Sequence, residues 1–157
     1  ALPILKAYEY MCKFYILEGN KRVSVMKYVD APFILADVMR IMPVKKDDKD
    51  VRVYYEFDEF FRATGLYDII LSEEGSYRKL TELFGMDAGQ EWPEEKILEL
   101  KHVYEIFSEA YSGRGGRLHP EAYGDVFLLY ITLFGIGSLT EDTSAEICKN
   151  LKYWRTK

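Results

Sequence analysis

The chain has 157 residues, of which 48% are hydrophobic and 15% aromatic, and its formal net charge is −5. This length fits one domain, or one domain with a small appendage, and the apolar content is enough for a core. The acidic excess lies almost entirely beyond residue 62. It argues against binding of bare duplex DNA by the whole surface, because such binding requires cations that neutralise phosphates. Two widely separated cysteines give no support to a disulfide framework or a zinc site.

The sequence contains no apolar run of the length that a transmembrane helix needs, and no secretory signal opens it. The run VFLLYITLFGIG, at residues 126–137, is too short to span a bilayer and is typical of a buried helix. We therefore expect a cytoplasmic protein without a membrane partner. The abrupt apolar opening, ALPIL, suggests a piece of a longer protein.

The first part of the chain predicts short strands around a glycine. Residues 2–5 predict a short strand that KAYEYMCK links to the next one. The segment FYILE at residues 14–18 predicts a strand that Gly19 closes. After a break at DAP, the segment FILADVMRIM at residues 33–42 predicts a long strand that ends at Pro43.

Between the second and third predicted strands, NKRVSVMKYV at residues 20–29 fits an amphipathic helix that opens with Asn20 as its N-cap. We expect its core-facing side chains to be Val23, Met26 and either Tyr28 or Val29.

The middle of the chain contains a charge-dense loop, VKKDDKD at residues 44–50, and then a segment of ambiguous period. VRVYYEFDEFFRATG begins like a strand, but its aromatic residues recur at helical spacing and Gly65 supplies a stop. We expect these rings to pack in the core rather than to form a base-stacking platform. On a helix, Glu56 and Glu59 would share a face; a solvated face is the preferred interpretation, and a site for one divalent ion is the alternative. The segment LYDIILS at residues 66–72 predicts another strand.

From Ser76 onward the pattern becomes helical, in the segments SYRKLTELFG, PEEKILELKHVYEIFSEAYSG, HPEAYGDVFLLYITLFG and TSAEICKNLKYW. The predicted fold class is therefore α+β, with a small mixed sheet followed by a helical extension. We place the α/β core at residues 1–73 and the helical extension at residues 74–157. The basic segment SGRGGRLHP between two of these helices predicts a helix connection, with a phosphate-covering loop as the alternative.

Gly19, Asn20, Lys21 and Arg22 stand in sequence where a strand turns into a helix. A helix N-terminus presents backbone N–H groups without intrahelical acceptors and the positive end of the helix dipole. A glycine allows close approach of an anion, and adjacent Lys or Arg adds charge-assisted hydrogen bonds. The pattern predicts a phosphate-binding corner, with an ordinary turn as the alternative.

The run LEGNKRVSVMKYVDAPFILADV resembles the ParB/sulfiredoxin superfamily, whose members carry G-E-R-R, G-H-H-R or G-C-H-R between an apolar strand and a helix. Gly19 matches the glycine, Lys21 the first basic position and Arg22 the second. The initial LPI resembles the short strand that opens such domains, and the resemblance covers about residues 1–43. It implies a corner that holds nucleotide phosphates, with a nucleoside triphosphate and Mg²⁺ as cofactor.

Members of this superfamily hydrolyse CTP, carry out ATP-linked reduction or transfer phosphoryl groups, and some are described as nucleases. The resemblance thus implies an NTPase or phosphotransferase. Sulfiredoxin chemistry is not expected here, because Asn20 stands at the position of its nucleophilic cysteine. Lys21 keeps the charge of an arginine but loses its planar fork. Val25 stands where the family usually has a small alanine.

Two further residues complete the predicted site. Glu18 directly precedes Gly19, where some relatives have an acid, and it would hold a metal ion or act as a base in phosphoryl transfer. The alternative for Glu18 is an ion pair with Lys21 or Lys27. Ser24 would add a hydroxyl to the site or bond within its own helix.

The sequence also allows two other functions. In the first, the corner is degenerate and the aromatic-rich acidic helices bind a protein partner. In the second, the chain is a DNA-associated ParB-type nuclease or partitioning factor. Against the second, the candidate recognition helix EDTSAEICKNL is acidic and has no arginine, whereas base-reading helices normally carry several Arg, Lys, Asn or Gln residues.

Overall fold

The computed structural model describes residues 4–31, 33–112, 120–142 and 144–155. Within them the chain is mixed α+β, with a three-stranded sheet and seven helices, so the predicted α+β class is confirmed. The chain divides into two compact units, Ala1–Tyr54 and Tyr55–Lys157. The predicted division near residue 73 stays a prediction.

The first unit holds the sheet. Its elements are β1 (Leu5–Tyr10), β2 (Lys13–Glu18), α1 (Asn20–Tyr28), β3 (Ala36–Arg40) and the start of α2 (Lys49–Thr64). The strand order is β2-β1-β3; β1 runs antiparallel to β2 and parallel to β3.

The central strand β1 lies in the segment that the sequence predicted to be a linker. Of the strand predicted at residues 2–5, Leu5 lies in β1 and Ile4 does not, whereas residues 2 and 3 lie outside the described residues. Leu5, Ala7 and Glu9 alternate on the buried face of β1. Because a carboxylate occupies the third inward position, the period-2 apolar pattern of a half-buried strand is broken in the sequence.

Glu9 is only 4% exposed, and its side chain connects three parts of the first unit. Its carboxylate accepts hydrogen bonds from the backbone N–H of Cys12 at 2.6 Å, from Arg40 Nε at 3.1 Å and from the Tyr54 hydroxyl at 2.6 Å. These partners belong to the β1–β2 turn, to β3 and to α2. Since a buried charge requires such partners, Glu9 fixes these three elements to the centre of the sheet.

The β1–β2 turn consists of Met11 and Cys12, with φ angles of 52° and 64°. Two-residue hairpin turns with positive φ at both positions normally use Asn and Gly, because other residues are strained there. The hydrogen bond from Cys12 N–H to Glu9 helps to hold a turn that the local sequence disfavours.

The pairing of β2 with β1 is irregular just before Gly19. Lys6 pairs with Glu18 and Ala7 with Ile16, so Leu17 is the additional residue of a bulge. Cross-strand partners lie on the same face of a sheet. The bulge therefore turns Glu18 to the side of Lys6, away from the face that buries Ala7.

Helix α1 and strand β3 differ in detail from their predictions. The residue that precedes α1 as its N-cap is Gly19 rather than Asn20. None of the residues of α1, all of which are described, is fully buried: Val23 and Met26 are half-buried, and Tyr28 is 91% exposed. Strand β3 spans only Ala36–Arg40, shorter than the predicted residues 33–42.

Helix α2 resolves the ambiguous segment in favour of the helical period. The Asp48 carboxylate caps it by accepting a hydrogen bond from the backbone N–H of Val51 at 3.2 Å. Its C-terminal end is at Thr64, where Gly65 follows with a φ of 73°.

The second unit is helical in its described part. After the C-terminal portion of α2 it contains α3 (Ser76–Leu83), α4 (Glu94–Ser112), α5 (Pro120–Phe134), α6 (Gly137–Glu141) and α7 (Ser144–Arg155). The predictions of α3, α4, α5 and α7 are confirmed, whereas the short α6 was not predicted. Helix α4 packs against α5, α6 and α7. At this junction the ring of Phe107 lies 5.5 Å from that of Phe127 and 5.7 Å from that of Tyr130.

The predicted strand at residues 66–72 is wrong: this segment has no regular secondary structure, although Leu66, Ile69 and Leu71 are buried. Part of its backbone forms hydrogen bonds with side chains rather than with a neighbouring strand. The Tyr77 hydroxyl donates to the carbonyl of Ile69 and accepts from the N–H of Leu71, both at 3.0 Å. A buried apolar run therefore does not by itself distinguish a strand from such a segment.

No helix in the described ranges combines the length and the apolar character that crossing a membrane requires. The predicted loop within SGRGGRLHP lies at residues 113–119, outside the described residues.

Replacing Tyr54 by Phe should lower the free energy of unfolding by about 2 kcal/mol, because it removes a hydrogen bond to a buried carboxylate. Tyr8→Phe, on β1 of the same unit, is the matched control, since the Tyr8 hydroxyl has no hydrogen-bond partner among the described residues. Urea unfolding monitored by circular dichroism measures both. Equal losses in the two variants would contradict the role given to Glu9.

Stability should also fall as the pH rises from 10.0 to about 12. Burial, followed by the negative charge of Asp68, raises the pKa of Tyr104 from 10.0 to about 12. The unfolded chain then loses this proton near pH 10 while the folded chain still holds it, so unfolding becomes more favourable across this window. Below pH 10 both the folded and the unfolded chain hold this proton, so Tyr104 causes no change of stability with pH there.

Tyr104→Phe should reduce this loss, whereas Tyr67→Phe, at an exposed position, should not. Urea titrations at several alkaline pH values give the comparison. An unchanged pH dependence in Tyr104→Phe would show that Tyr104 is not responsible.

Candidate functional site

The predicted corner is formed by the end of β2 and the start of α1. Gly19 connects them with a φ of 100°, and its carbonyl accepts the backbone N–H of Val23 at 3.0 Å. No side chain in the described part of the protein caps α1. The backbone N–H groups of Asn20 and Lys21 therefore have no intrahelical acceptor and no side-chain cap among the described residues.

The glycine itself has a packing explanation. A Cβ atom at position 19 would lie 2.1 Å from Cδ2 of Leu5, a buried residue of β1. The φ of 100° is also unfavourable for every residue with a side chain. Packing against Leu5 of β1 and the backbone conformation thus explain the glycine at position 19. Its presence is not by itself evidence for an anion-binding site.

The charges of the first turn differ in accessibility. Lys21 is exposed, and Arg22 is half-buried and already has an interaction partner in the structure. The first turn contains no acidic residue that would neutralise the helix dipole. Lys21 is therefore the cation that an incoming anion reaches most directly.

The structure also places the remaining predicted residues. The Ser24 hydroxyl donates to the carbonyl of Asn20 at 3.1 Å, so it bonds within its own helix. Glu18 is exposed, and in the described residues it forms no ion pair with Lys21 or Lys27. The alternative interpretation of Glu18 as their ion-pair partner is therefore not observed.

The corner offers a helix N-terminus and an exposed lysine, which are groups that bind an anion. The structure, as far as it is described, brings no three His, Cys, Asp or Glu side chains close enough to hold a metal ion. Mg²⁺ commonly uses one or two carboxylates together with substrate phosphates. Glu18 is the carboxylate next to Gly19 that would contribute in this way, with the phosphates supplying the other ligands.

Some aromatic and acidic residues of α2 are buried, whereas others line a cleft. Tyr54, Phe57 and Phe60 are buried, which confirms the expected core packing. Asp58 is buried too and pairs with Arg62 at 2.9 Å. Glu56 and Glu59 instead line a cleft of about 350 Å³ in the second unit.

Two features were missed from the sequence. The buried carboxylate of Glu9 could have been found from its inward position after Leu5 and Ala7, together with a strand that ends in arginine. The cleft carried no such signal, because its walls come from α2, from residues 74–81 and from residues 88–92, which are distant in sequence.

Gly19→Ala should lower the free energy of unfolding by about 3 kcal/mol, because it combines backbone strain with overlap against Leu5. Gly65→Ala is the control: its φ is also positive, but nothing lies within 4 Å of its Cβ position. This variant should lose only about 1 kcal/mol. Denaturant unfolding of both separates the steric contribution from the conformational one, and equal losses would contradict the contact with Leu5.

Comparison of the chain with known proteins gave no significant match to a family model, to a curated protein or to a solved structure.

Proposed function

We propose that the first unit binds the phosphate groups of a nucleotide at the corner formed by Gly19, Asn20, Lys21 and Arg22. The observation that carries this proposal is the start of α1, which lacks a side-chain cap in the described residues and is followed at once by an exposed lysine. In the resemblance to the ParB/sulfiredoxin superfamily, the same positions hold phosphates.

The electrostatics of the corner favour an anion. The N-terminus of a helix carries the equivalent of about half a positive charge, and its first N–H groups point along the helix axis. Lys21 adds a full positive charge within the first turn, and its flexible chain adapts to phosphate oxygens. A terminal phosphate would therefore receive both backbone and charge-assisted hydrogen bonds.

Helix α1 has little role in forming a core, which is the second support for this proposal. All its residues are described and none is fully buried. Asn20 and Lys21 are exposed there, so a ligand can reach the start of the helix.

The chemistry at such a site would be that of an NTPase or a phosphotransferase. Bound Mg²⁺ would neutralise charge on the phosphates, with Glu18 as its carboxylate ligand or as the general base. As the base, Glu18 would take a proton from an attacking water while the terminal phosphoryl group passes to that water and the nucleoside diphosphate leaves. Lys21 and the helix N-terminus would orient the phosphates for this transfer.

Isothermal titration with pyrophosphate, CTP, ATP and GTP, each with Mg²⁺, tests binding at this corner. Lys21→Ala should raise the dissociation constant about tenfold, which corresponds to the loss of one charge-assisted hydrogen bond. Lys27→Ala is the matched control, since Lys27 is an exposed lysine in the last turn of the same helix. It should change the affinity by less than about twofold, because the influence of the N-terminus is confined to the first turn.

Binding by no member of this panel in a folded sample would refute the proposal. Equal weakening by Lys21→Ala and Lys27→Ala would also contradict it, since that result indicates nonspecific attraction to the helix. A saturating nucleotide should in addition raise stability by about 2.7 kcal/mol at 100 times its dissociation constant.

A second candidate function is that of a protein-interaction module. The observation in its favour is the edge strand β2, on which Phe14, Tyr15 and Leu17 are all about half exposed. Exposed apolar groups along a sheet edge are typical of surfaces that bind another chain. This function would be preferred if the nucleotide titrations show no binding.

A further inference from the structure

The second unit contains a cleft whose walls combine aromatic rings with carboxylates. It has a volume of about 350 Å³, within the range of sites for small ligands. Its aromatic residues are Phe60, Tyr77 and Trp92, and its carboxylates are those of Glu56, Glu59 and Glu74.

The three rings form a packed apolar surface. Each is less than 5% exposed; the ring centre of Phe60 lies 5.1 Å from that of Tyr77 and 5.9 Å from that of Trp92. The Tyr77 hydroxyl is already engaged with the backbone of Ile69 and Leu71. Tyr77 therefore contributes its ring rather than its hydroxyl to the cleft.

The indole N–H of the buried Trp92 has no hydrogen-bond partner within the described part of the chain. Its backbone N–H donates to the carbonyl of Ala63 at 3.0 Å, but its indole N–H has no acceptor among the residues that the structure describes. Buried N–H groups almost always have a hydrogen-bond partner, because an unsatisfied donor is destabilising. Since Trp92 lines the cleft, a ligand with an acceptor would satisfy it.

The carboxylates give the cleft a negative charge. Glu56 is held in place by accepting the backbone N–H of Gly75 at 2.9 Å. Glu59 lies over Gly89, where a Cβ would be 3.1 Å from its Oε1, and it forms no ion pair with any described residue. Of the described residues on the lining, one is a cation, Arg78, and three are carboxylates.

The same carboxylates are not arranged for a metal ion. Among the described residues, no group of three His, Cys, Asp or Glu side chains has the required spacing. Carboxylates next to an apolar wall instead favour an organic cation, which gains from apolar contact as well as from the opposite charge. A guanidinium or a primary ammonium on an apolar stem has this chemistry.

We infer that this cleft binds a small organic cation of the guanidinium or primary-amine class that also carries a hydrogen-bond acceptor. The cationic group lies at Glu56 and Glu59, its stem lies along the apolar part of the lining, and its acceptor receives the indole N–H of Trp92. Arg78 favours a carboxylate as that acceptor. Free arginine combines these groups and is the probe of choice.

Calorimetric titration of the whole chain with arginine, agmatine and citrulline tests this inference. Citrulline has the shape of arginine without its positive charge, so it should bind at least tenfold more weakly than arginine. Glu59→Gln should weaken arginine binding by about fivefold, the range expected for one partly exposed ion pair. Glu105→Gln, at an exposed position of α4 outside the cleft, is the matched control and should leave the affinity unchanged.

A second variant tests the donor. Trp92→Phe keeps an aromatic ring but removes the N–H, so it should weaken arginine more than agmatine, which lacks the carboxylate. Failure of both arginine and agmatine to bind at about 10 mM, beyond the weak end of specific binding, would overturn the inference. So would equal affinity for citrulline, or no effect of Glu59→Gln in a folded variant. These results are independent of the nucleotide titrations, because the cleft shares no residue with the corner.

Discussion

The first unit depends on one buried carboxylate. Glu9 accepts hydrogen bonds from the β1–β2 turn, from β3 and from α2, so the central strand is tied to all three by a single side chain. A buried charge is tolerated only where such partners converge on it. An apolar residue at this position would fill the space, but it would leave the guanidinium of Arg40 and the N–H of Cys12 without this acceptor. Burial, followed by the bond to Glu9, also raises the pKa of Tyr54, which keeps this donor protonated.

The same strand determines the geometry of the candidate phosphate corner. Leu5 lies on the buried face of β1 with Glu9, and it fills the space that a side chain at position 19 would need. A bulge at Leu17 then turns Glu18 to the exposed face just before the helix begins. The position of the helix N-terminus and the direction of the neighbouring carboxylate therefore follow from the packing of β1, rather than from the four residues of the corner alone.

The two candidate sites have opposite electrostatic character, and each belongs to one unit. The corner presents a helix N-terminus and lysine to an anion, whereas the cleft presents carboxylates and an apolar wall to a cation. The charge along the sequence does not reveal this contrast, because Glu56 and Glu59 lie in the part up to residue 62, which has no acidic excess. We do not expect a ligand of one site to bind at the other, because the two sites differ in charge and in shape.

The sequence by itself determined the features that depend on neighbours along the chain. These include β2, Gly19 and α1 in that order, most helices of the second unit, and the core packing of the α2 rings; each follows from a local period or a stop residue. Only the tertiary structure decided the rest. Glu9 is buried, and α1 has no fully buried residue. The segment at residues 66–72 forms hydrogen bonds with Tyr77 rather than with a strand. Glu56, Glu59 and Trp92 line one cleft. The reason is physical: burial and hydrogen-bond satisfaction are settled between residues distant in sequence, and no local pattern records them.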